Sequence, residues 1–125
     1  MSTILVIDDN VEFKGMIADY FMDLGYMLEE AGNGREGITK AKALKPDVIF
    51  LDVMMPDVGG IEVLRELQAD EDTRAIPVFV ITGTYFDKGM SDLFKQESNC
   101  REFMSKTVEI SYLQNKVAEL LAKKK

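Results

Sequence analysis

The chain has 125 residues, of which 46% are apolar, 9% aromatic and 30% charged, with 15 Lys and Arg against 22 Asp and Glu and a formal net charge of −7. That is one domain's length of ordinary globular composition, which excludes an intrinsically disordered chain, and the acidic balance argues against a protein that tracks phosphate backbones. With no histidine and a single cysteine, Cys100, histidine triads, imidazole metal ligands and intramolecular disulfides are removed, so any chemistry must run on carboxylates, hydroxyls and lysine.

Ile4-Leu5-Val6-Ile7 is a continuous apolar run that ends in Asp8 and Asp9, as suits a strand buried on both faces. Phe13, Met16, Ile17, Tyr20, Phe21 and Leu24 then follow helical spacing, with Asn10 placed to cap the start and Gly25 to stop it. Met27-Leu28-Glu29-Glu30-Ala31 is a weaker strand. Asn33, Gly34 and Glu36 open a second helix, whose apolar face is Ile38, Ala41 and Leu44 and which Pro46 ends. Val48-Ile49-Phe50-Leu51 is a second fully apolar strand; it ends in Asp52 and runs into the turn Met55-Pro56-Asp57-Val58-Gly59-Gly60. A helix carrying Ile61, Leu64 and Leu67 follows, then the charged loop Asp70-Glu71-Asp72-Thr73-Arg74. Pro77 opens the strand Val78-Phe79-Val80-Ile81, which ends in Thr82-Gly83-Thr84. Met90, Leu93 and Phe94 mark the fourth helix, Cys100 to Met104 a last strand before Lys106, and Ile110, Leu113, Val117, Leu120 and Leu121 the stripe of a closing helix.

Strands that alternate with helices and read as solid apolar runs predict a doubly wound α/β architecture, (βα)5, with a five-stranded parallel sheet and five helices on its two faces. No linker or repeat interrupts residues 1–125, which we expect to form one domain, with 122–125 as a frayed basic tail or the end of a fragment. The apolar runs are too short to cross a bilayer, and the first residues lack the basic and long apolar segments of a signal peptide. A cytoplasmic location, with no membrane partner and no direct contact with nucleic acid, is the expectation.

In open parallel sheets the ligand site lies beyond the carboxyl ends of the strands, where strand order reverses. That rule gathers Asp8 and Asp9 from the first strand, Asp52 from the third, Thr82 from the fourth and Lys106 from the fifth. Three carboxylates in one place repel one another unless a cation compensates them, and oxygen ligands without imidazole or thiolate favour magnesium. A lysine beside them suits the oxygens of a phosphoryl group. Taken singly, each Asp reads equally well as a helix cap or a loop acid; the whole set at strand ends does not. Cys100, in a strand rather than an electropositive helix start, reads as a small buried hydrophobe.

At this level of detail the chain resembles, over essentially its whole length, the receiver domain of bacterial two-component response regulators, the flavodoxin-like, CheY-like type seen alone in chemotaxis regulators. The resemblance is carried by Ile4-Leu5-Val6-Ile7-Asp8-Asp9-Asn10, Gly25-Tyr26, Ala31-Gly32-Asn33-Gly34, Pro46 to Pro56 with Gly59-Gly60, Ile81-Thr82-Gly83 and Phe103-Met104-Ser105-Lys106. It implies that Asp52 is the phosphoacceptor, taking a phosphoryl group from a phosphohistidine of a sensor histidine kinase or phosphotransfer protein. It further implies magnesium, or manganese as a substitute, held by Asp9, Asp52 and the Met54 backbone carbonyl, with Asp8 acting largely through water. Lys106 and Thr82 would bind the phosphoryl oxygens. Phe103 matches the switch aromatic, which turns inward as the threonine moves and biases the surface of the fourth helix, fifth strand and fifth helix toward an output partner. A homodimer formed on phosphorylation stays open. In the family such a domain catalyses its own phosphorylation and dephosphorylation without being a turnover enzyme.

Three departures from the family pattern stand out. Thr107 follows Lys106 where proline in a cis bond is usual, so a trans bond and some displacement of Lys106 are expected. Asn99-Cys100 replaces Gly-Ala, and Asn is the commonest residue after glycine for a left-handed turn. The stretch from Thr82 to Asn99 is also slightly long. Met54 and Thr84 match positions that, in the family the chain resembles, tune how fast water removes the phosphoryl group. Two other classes are weighed against the resemblance. An aspartate-nucleophile phosphohydrolase needs an acid two residues after its nucleophile, and Met54 and Asn10 stand there instead. A receiver-like module that binds partners without phosphorylation has only Thr107 in its favour.

Overall fold

The computed structural model describes residues 2–53, 57–83 and 88–123. Its elements alternate along the chain as β1 (Thr3–Ile7), α1 (Val11–Asp23), β2 (Met27–Ala31), α2 (Gly34–Leu44), β3 (Val48–Leu51), α3 (Gly60–Ala69), β4 (Val78–Thr82), α4 (Lys88–Lys95), β5 (Cys100–Ser105) and α5 (Ile110–Lys123). All four strand pairings are parallel and the sheet order is β2-β1-β3-β4-β5. The chain steps outward from β1 to β2, then crosses back to β3 on the other side of β1. The carboxyl ends of β1 and β3 therefore flank the point where the order reverses.

Successive strand residues point to opposite faces, so the apolar strands feed two cores. Leu5, Ile7, Ile49, Leu51, Val78 and Val80 pack with Ile38, Val63, Leu64 and Leu67 from α2 and α3. Ile4, Val6, Val48, Phe50, Phe79 and Ile81 pack with Ile17 and Phe21 of α1 and Leu113 and Val117 of α5. In that second core Phe50 stacks on Phe79 at 6.0 Å between ring centroids and meets Phe21 edge-on at 5.6 Å. Among the described residues no helix is long and apolar enough to cross a membrane.

The helix ends follow local chemistry. Asn10 Oδ1 accepts the Phe13 N–H at 2.8 Å, and Asn33 Oδ1 accepts the Glu36 N–H at 2.9 Å. Gly25, at φ 96°, takes the left-handed conformation after α1. Beyond α2 the left-handed residue is Lys45, at φ 48°, one position before the predicted stop at Pro46.

Several predicted core positions lie outside. Met16, Leu24, Leu44 and Leu93 are exposed. Met16 and Leu93 each precede a buried residue, Ile17 and Phe94, and the turn of about 100° per residue carries them off the sheet. Leu24 lies beyond the end of α1, and Leu44 is the last residue of α2. The turn expected at Asn99 is also absent: Lys45 is the only described non-glycine residue with positive φ. Asn99 is instead buried, its Nδ2 donating to the Leu64 carbonyl at 3.1 Å and its Oδ1 accepting from Gln68 Nε2 at 3.0 Å. Helix α5 continues through Ala122 and Lys123.

Strand β5 carries an irregularity. Val78 pairs with Cys100 but Phe79 pairs with Glu102, so Arg101 is an extra residue in the ladder. The insertion turns Phe103 to the same face as Cys100 and Val80, against α4. Without it, the alternation would send Phe103 to the opposite core.

Candidate functional site

The sheet ladder itself places the strand-end acids and lysine. Beyond the last paired residues, the Asp8 N–H donates to the Ala31 carbonyl at 3.0 Å, the Asp52 N–H to Ile7 at 2.9 Å and the Lys106 N–H to Thr82 at 2.9 Å. Each bond extends a strand by one residue and fixes where the next side chain leaves the sheet. Asp8, Asp52 and Thr82 are buried, at 1%, 6% and 0% exposure, while Asp9 faces solvent.

The carboxylate oxygens of Asp8, Asp9 and Asp52 come within 4.8 Å of one another. Asp8 Oδ1 accepts the Asn10 N–H at 2.8 Å. Asp8 Oδ2 is the one fully buried side-chain oxygen or nitrogen among the described residues without a hydrogen bond; the charge of Lys106 Nζ, 2.8 Å away, compensates it. Asp52 Oδ1 accepts the N–H of Val53 at 2.8 Å, and its Oδ2 lies 3.8 Å from Lys106 Nζ. One lysine thus serves two buried carboxylates, with Asp9 adding a third negative charge.

Burial, and then the negative charge of Asp8, push the Asp52 carboxyl above its ordinary value, against the opposing pull of Lys106 and the Val53 N–H. Three carboxylates with a single ammonium between them leave an excess of negative charge on oxygen ligands, a donor set that fits a hard divalent ion. Asp8, Asp9 and Asp52 would hold it. Met54, whose carbonyl is the fourth expected ligand, lies outside the described residues, as does Thr84.

Lys106 reaches this cluster although Thr107 replaces the family's proline. The bond between them is trans. The Thr107 N–H donates to Ser105 Oγ at 3.1 Å and the two hydroxyls lie 2.8 Å apart, so a local side-chain turn shapes the chain where a proline ring otherwise would. Phe103 is buried, with its ring 5.3 Å from that of Phe94 in α4. Cys100 is buried too, and desolvation pushes its thiol up to about 11.

Three supporting residues were not identified from sequence. A Cβ on Gly83 would sit 3.2 Å from Lys106 Cδ, so glycine there keeps the lysine's path open. Asp57 accepts the backbone N–H groups of Gly34 at 3.0 Å and Arg35 at 2.9 Å, tying the loop after β3 to the start of α2. Phe13, read only as part of an apolar stripe, has its ring 4.6 Å beneath Lys106 Nζ. The Asp57 tie spans more than twenty residues and leaves no local signal. Gly83 and Phe13 become legible only once the lysine's route is known.

Known proteins share the sequence pattern and the fold. Protein PilH of Pseudomonas aeruginosa is 29% identical over 122 residues, covering 98% of this chain and 99% of that protein. The protein-glutamate methylesterase/protein-glutamine glutaminase of Vibrio parahaemolyticus is 30% identical over 97% of this chain, which spans 35% of its length. The receiver domain of the Francisella response regulator 1452 superposes with a TM-score of 0.89 over all of both chains at 24% identity, a likeness of fold. The family model described as the response regulator receiver domain matches residues 4–118, and by that match the chain belongs to this family of two-component signalling domains.

Proposed function

We propose that Asp52 is the phosphoacceptor of a two-component relay. The observation that carries this is a buried carboxylate at the end of β3 with Asp8 and Asp9 on one side and the Lys106 ammonium 3.8 Å away on the other. Asp52 Oδ1 is engaged by the Val53 N–H, which leaves Oδ2, the oxygen facing Lys106, as the nucleophile. Oδ2 forms a bond to phosphorus as the phosphorus–nitrogen bond of a phosphohistidine breaks, and the imidazole leaves neutral, keeping the proton that its other ring nitrogen carried before transfer. Lys106 holds a phosphoryl oxygen, and Thr82, at the end of the neighbouring strand, is placed to bind another. A divalent cation held by the three acids would neutralise charge building on the transferred group.

The donor is a sensor histidine kinase or a phosphotransfer protein in the cytoplasm. The output is a partner, or a second copy of the chain, that reads the face of α4, β5 and α5. Buried Phe103 against Phe94 connects that face to the strand ending at Lys106. A module that binds without phosphorylation rested on Thr107 alone, and a trans bond that still delivers Lys106 to Asp8 and Asp52 weakens that alternative.

The test is intact mass after incubation with acetyl phosphate, with and without magnesium, for the native chain and Asp52→Asn. A magnesium-dependent adduct of one phosphoryl group that vanishes in Asp52→Asn supports the proposal. No adduct on the native protein, even when decay is slowed, would overturn it.

A further inference from the structure

We propose that Phe13 is a positioning residue for Lys106, its ring face holding the ammonium over the gap between Asp8 and Asp52. The inference rests on Lys106 being the cation that binds the phosphoryl group. Phe13 Cα is fixed by the cap of α1, since its N–H donates to Asn10 Oδ1, while the Asn10 N–H donates to Asp8 Oδ1. The ring lies 4.6 Å from Lys106 Nζ, and Nζ lies 2.8 Å from Asp8 Oδ2. The contacts form a closed circuit from Asp8 through Asn10, Phe13 and Lys106 back to Asp8. A change in the position of one acid is therefore felt by the lysine through two routes.

The lysine needs such a guide. Its ammonium ends a flexible four-carbon stem, and two acids at 2.8 and 3.8 Å compete for it. Nζ pairs with Asp8 at 2.8 Å, and binding a phosphoryl group on Asp52 requires it to stay within reach of Asp52 as well, rather than swing out to solvent. The negative face of an aromatic ring attracts a cation without accepting a directed hydrogen bond, so it limits where Nζ goes while leaving its N–H groups to oxygen ligands. Gly83 bounds the stem on the other side, where a Cβ would stand 3.2 Å from Cδ. The lysine thus runs between a glycine and an aromatic face. A merely structural Phe13 would need only apolar volume, because Ile17, Ile81, Val108 and Leu113 line the same small cavity. Leucine would supply that volume without the ring's charge distribution.

The experiment compares Phe13→Leu, Phe13→Tyr and the native chain. In the maximal rate of Asp52 phosphorylation by acetyl phosphate at saturating magnesium, Phe13→Leu is expected to fall about fivefold, the rate equivalent of one partly exposed cation–π contact, and Phe13→Tyr to keep the native rate. The concentration of magnesium giving half the effect should not change. In a Lys106→Gln background, Phe13→Leu should have no further effect, since the residue acts through the lysine. A second readout needs no variant: ring-current shielding should move the Lys106 ε-methylene protons of the native protein upfield of those of the other lysines. Native rates in Phe13→Leu, an equal loss in Phe13→Tyr, a persisting loss in the Lys106→Gln background, or unshifted ε-methylene protons would each overturn the positioning role. If Asp52→Asn removes the adduct while Phe13→Leu forms it at the native rate, this inference fails and the phosphoacceptor proposal stands. A native chain that takes up no phosphoryl group sinks both.

Discussion

Asp52 carries a cost that its neighbours only partly offset. Its carboxyl is raised above the ordinary value by burial and by Asp8, so the folded chain holds a proton there that the unfolded chain has already lost. Stability therefore falls as pH rises through the window between the ordinary and the raised value, and the full cost remains above it. Asp52→Asn removes that charge and leaves Lys106 paired with Asp8 at 2.8 Å. Without divalent cation at neutral pH, the variant should be the more stable by about 1 kcal/mol, a rise in Tm of roughly 4 °C for a chain of this size. The gain should shrink as pH is lowered through that window. Thermal unfolding of both proteins from pH 4 to 8 measures it, and a variant less stable at neutral pH would contradict the electrostatic account. Cys100 has the opposite character. With its thiol buried and raised to about 11, it should resist alkylation by iodoacetamide at pH 8 in the folded protein and react fully once unfolded, as read by mass.

At the level of elements, the joint between α3 and β5 depends on Asn99. Its side chain bridges the Leu64 carbonyl and Gln68 from a buried position, so Asn99→Ala removes two hydrogen bonds and should lower stability by about 1–3 kcal/mol in denaturant unfolding. Asn99→Gly should do no better, because the native residue does not use the left-handed conformation that would make glycine an advantage. This joint also shows where sequence and structure part. Solid apolar runs such as Val48-Ile49-Phe50-Leu51 announce buried parallel strands, and Asn10 and Asn33 announce helix starts, since strand burial and capping are local effects. Asp8, Asp52 and Thr82 are placed by the same local logic, since Asp8 and Asp52 directly follow apolar runs and Thr82 ends one, whereas Lys106 follows the mixed strand Cys100–Ser105. Asn99 misleads because its partners lie on another helix. The extra residue at Arg101 is equally silent, although it decides which core receives Phe103. Thr107 departs from the proline pattern, yet the Ser105 hydroxyl accepts its N–H and forms a turn that only the folded geometry reveals.

For the molecule as a whole, the site and the fold are linked through charge. A net charge of −7 disfavours compaction, and three of the acids converge at the carboxyl edge of the sheet. A divalent cation that binds there binds only the folded chain, because β1 and β3 must be paired before Asp8, Asp9 and Asp52 meet. Linkage then requires magnesium to stabilise the protein, by about 2.7 kcal/mol at one hundred times its Kd. Asp9 gives the sharpest control. It is exposed, so Asp9→Asn should leave the stability of the metal-free protein within about 0.5 kcal/mol while removing a ligand from the cluster. Thermal unfolding of the native chain and Asp9→Asn with increasing magnesium, at constant ionic strength, separates site binding from general screening. The native Tm should climb with the logarithm of concentration, and the variant's should stay nearly flat. Equal increases in both proteins would mean that magnesium acts on the diffuse negative surface, and the three carboxylates would then need another explanation for being brought together.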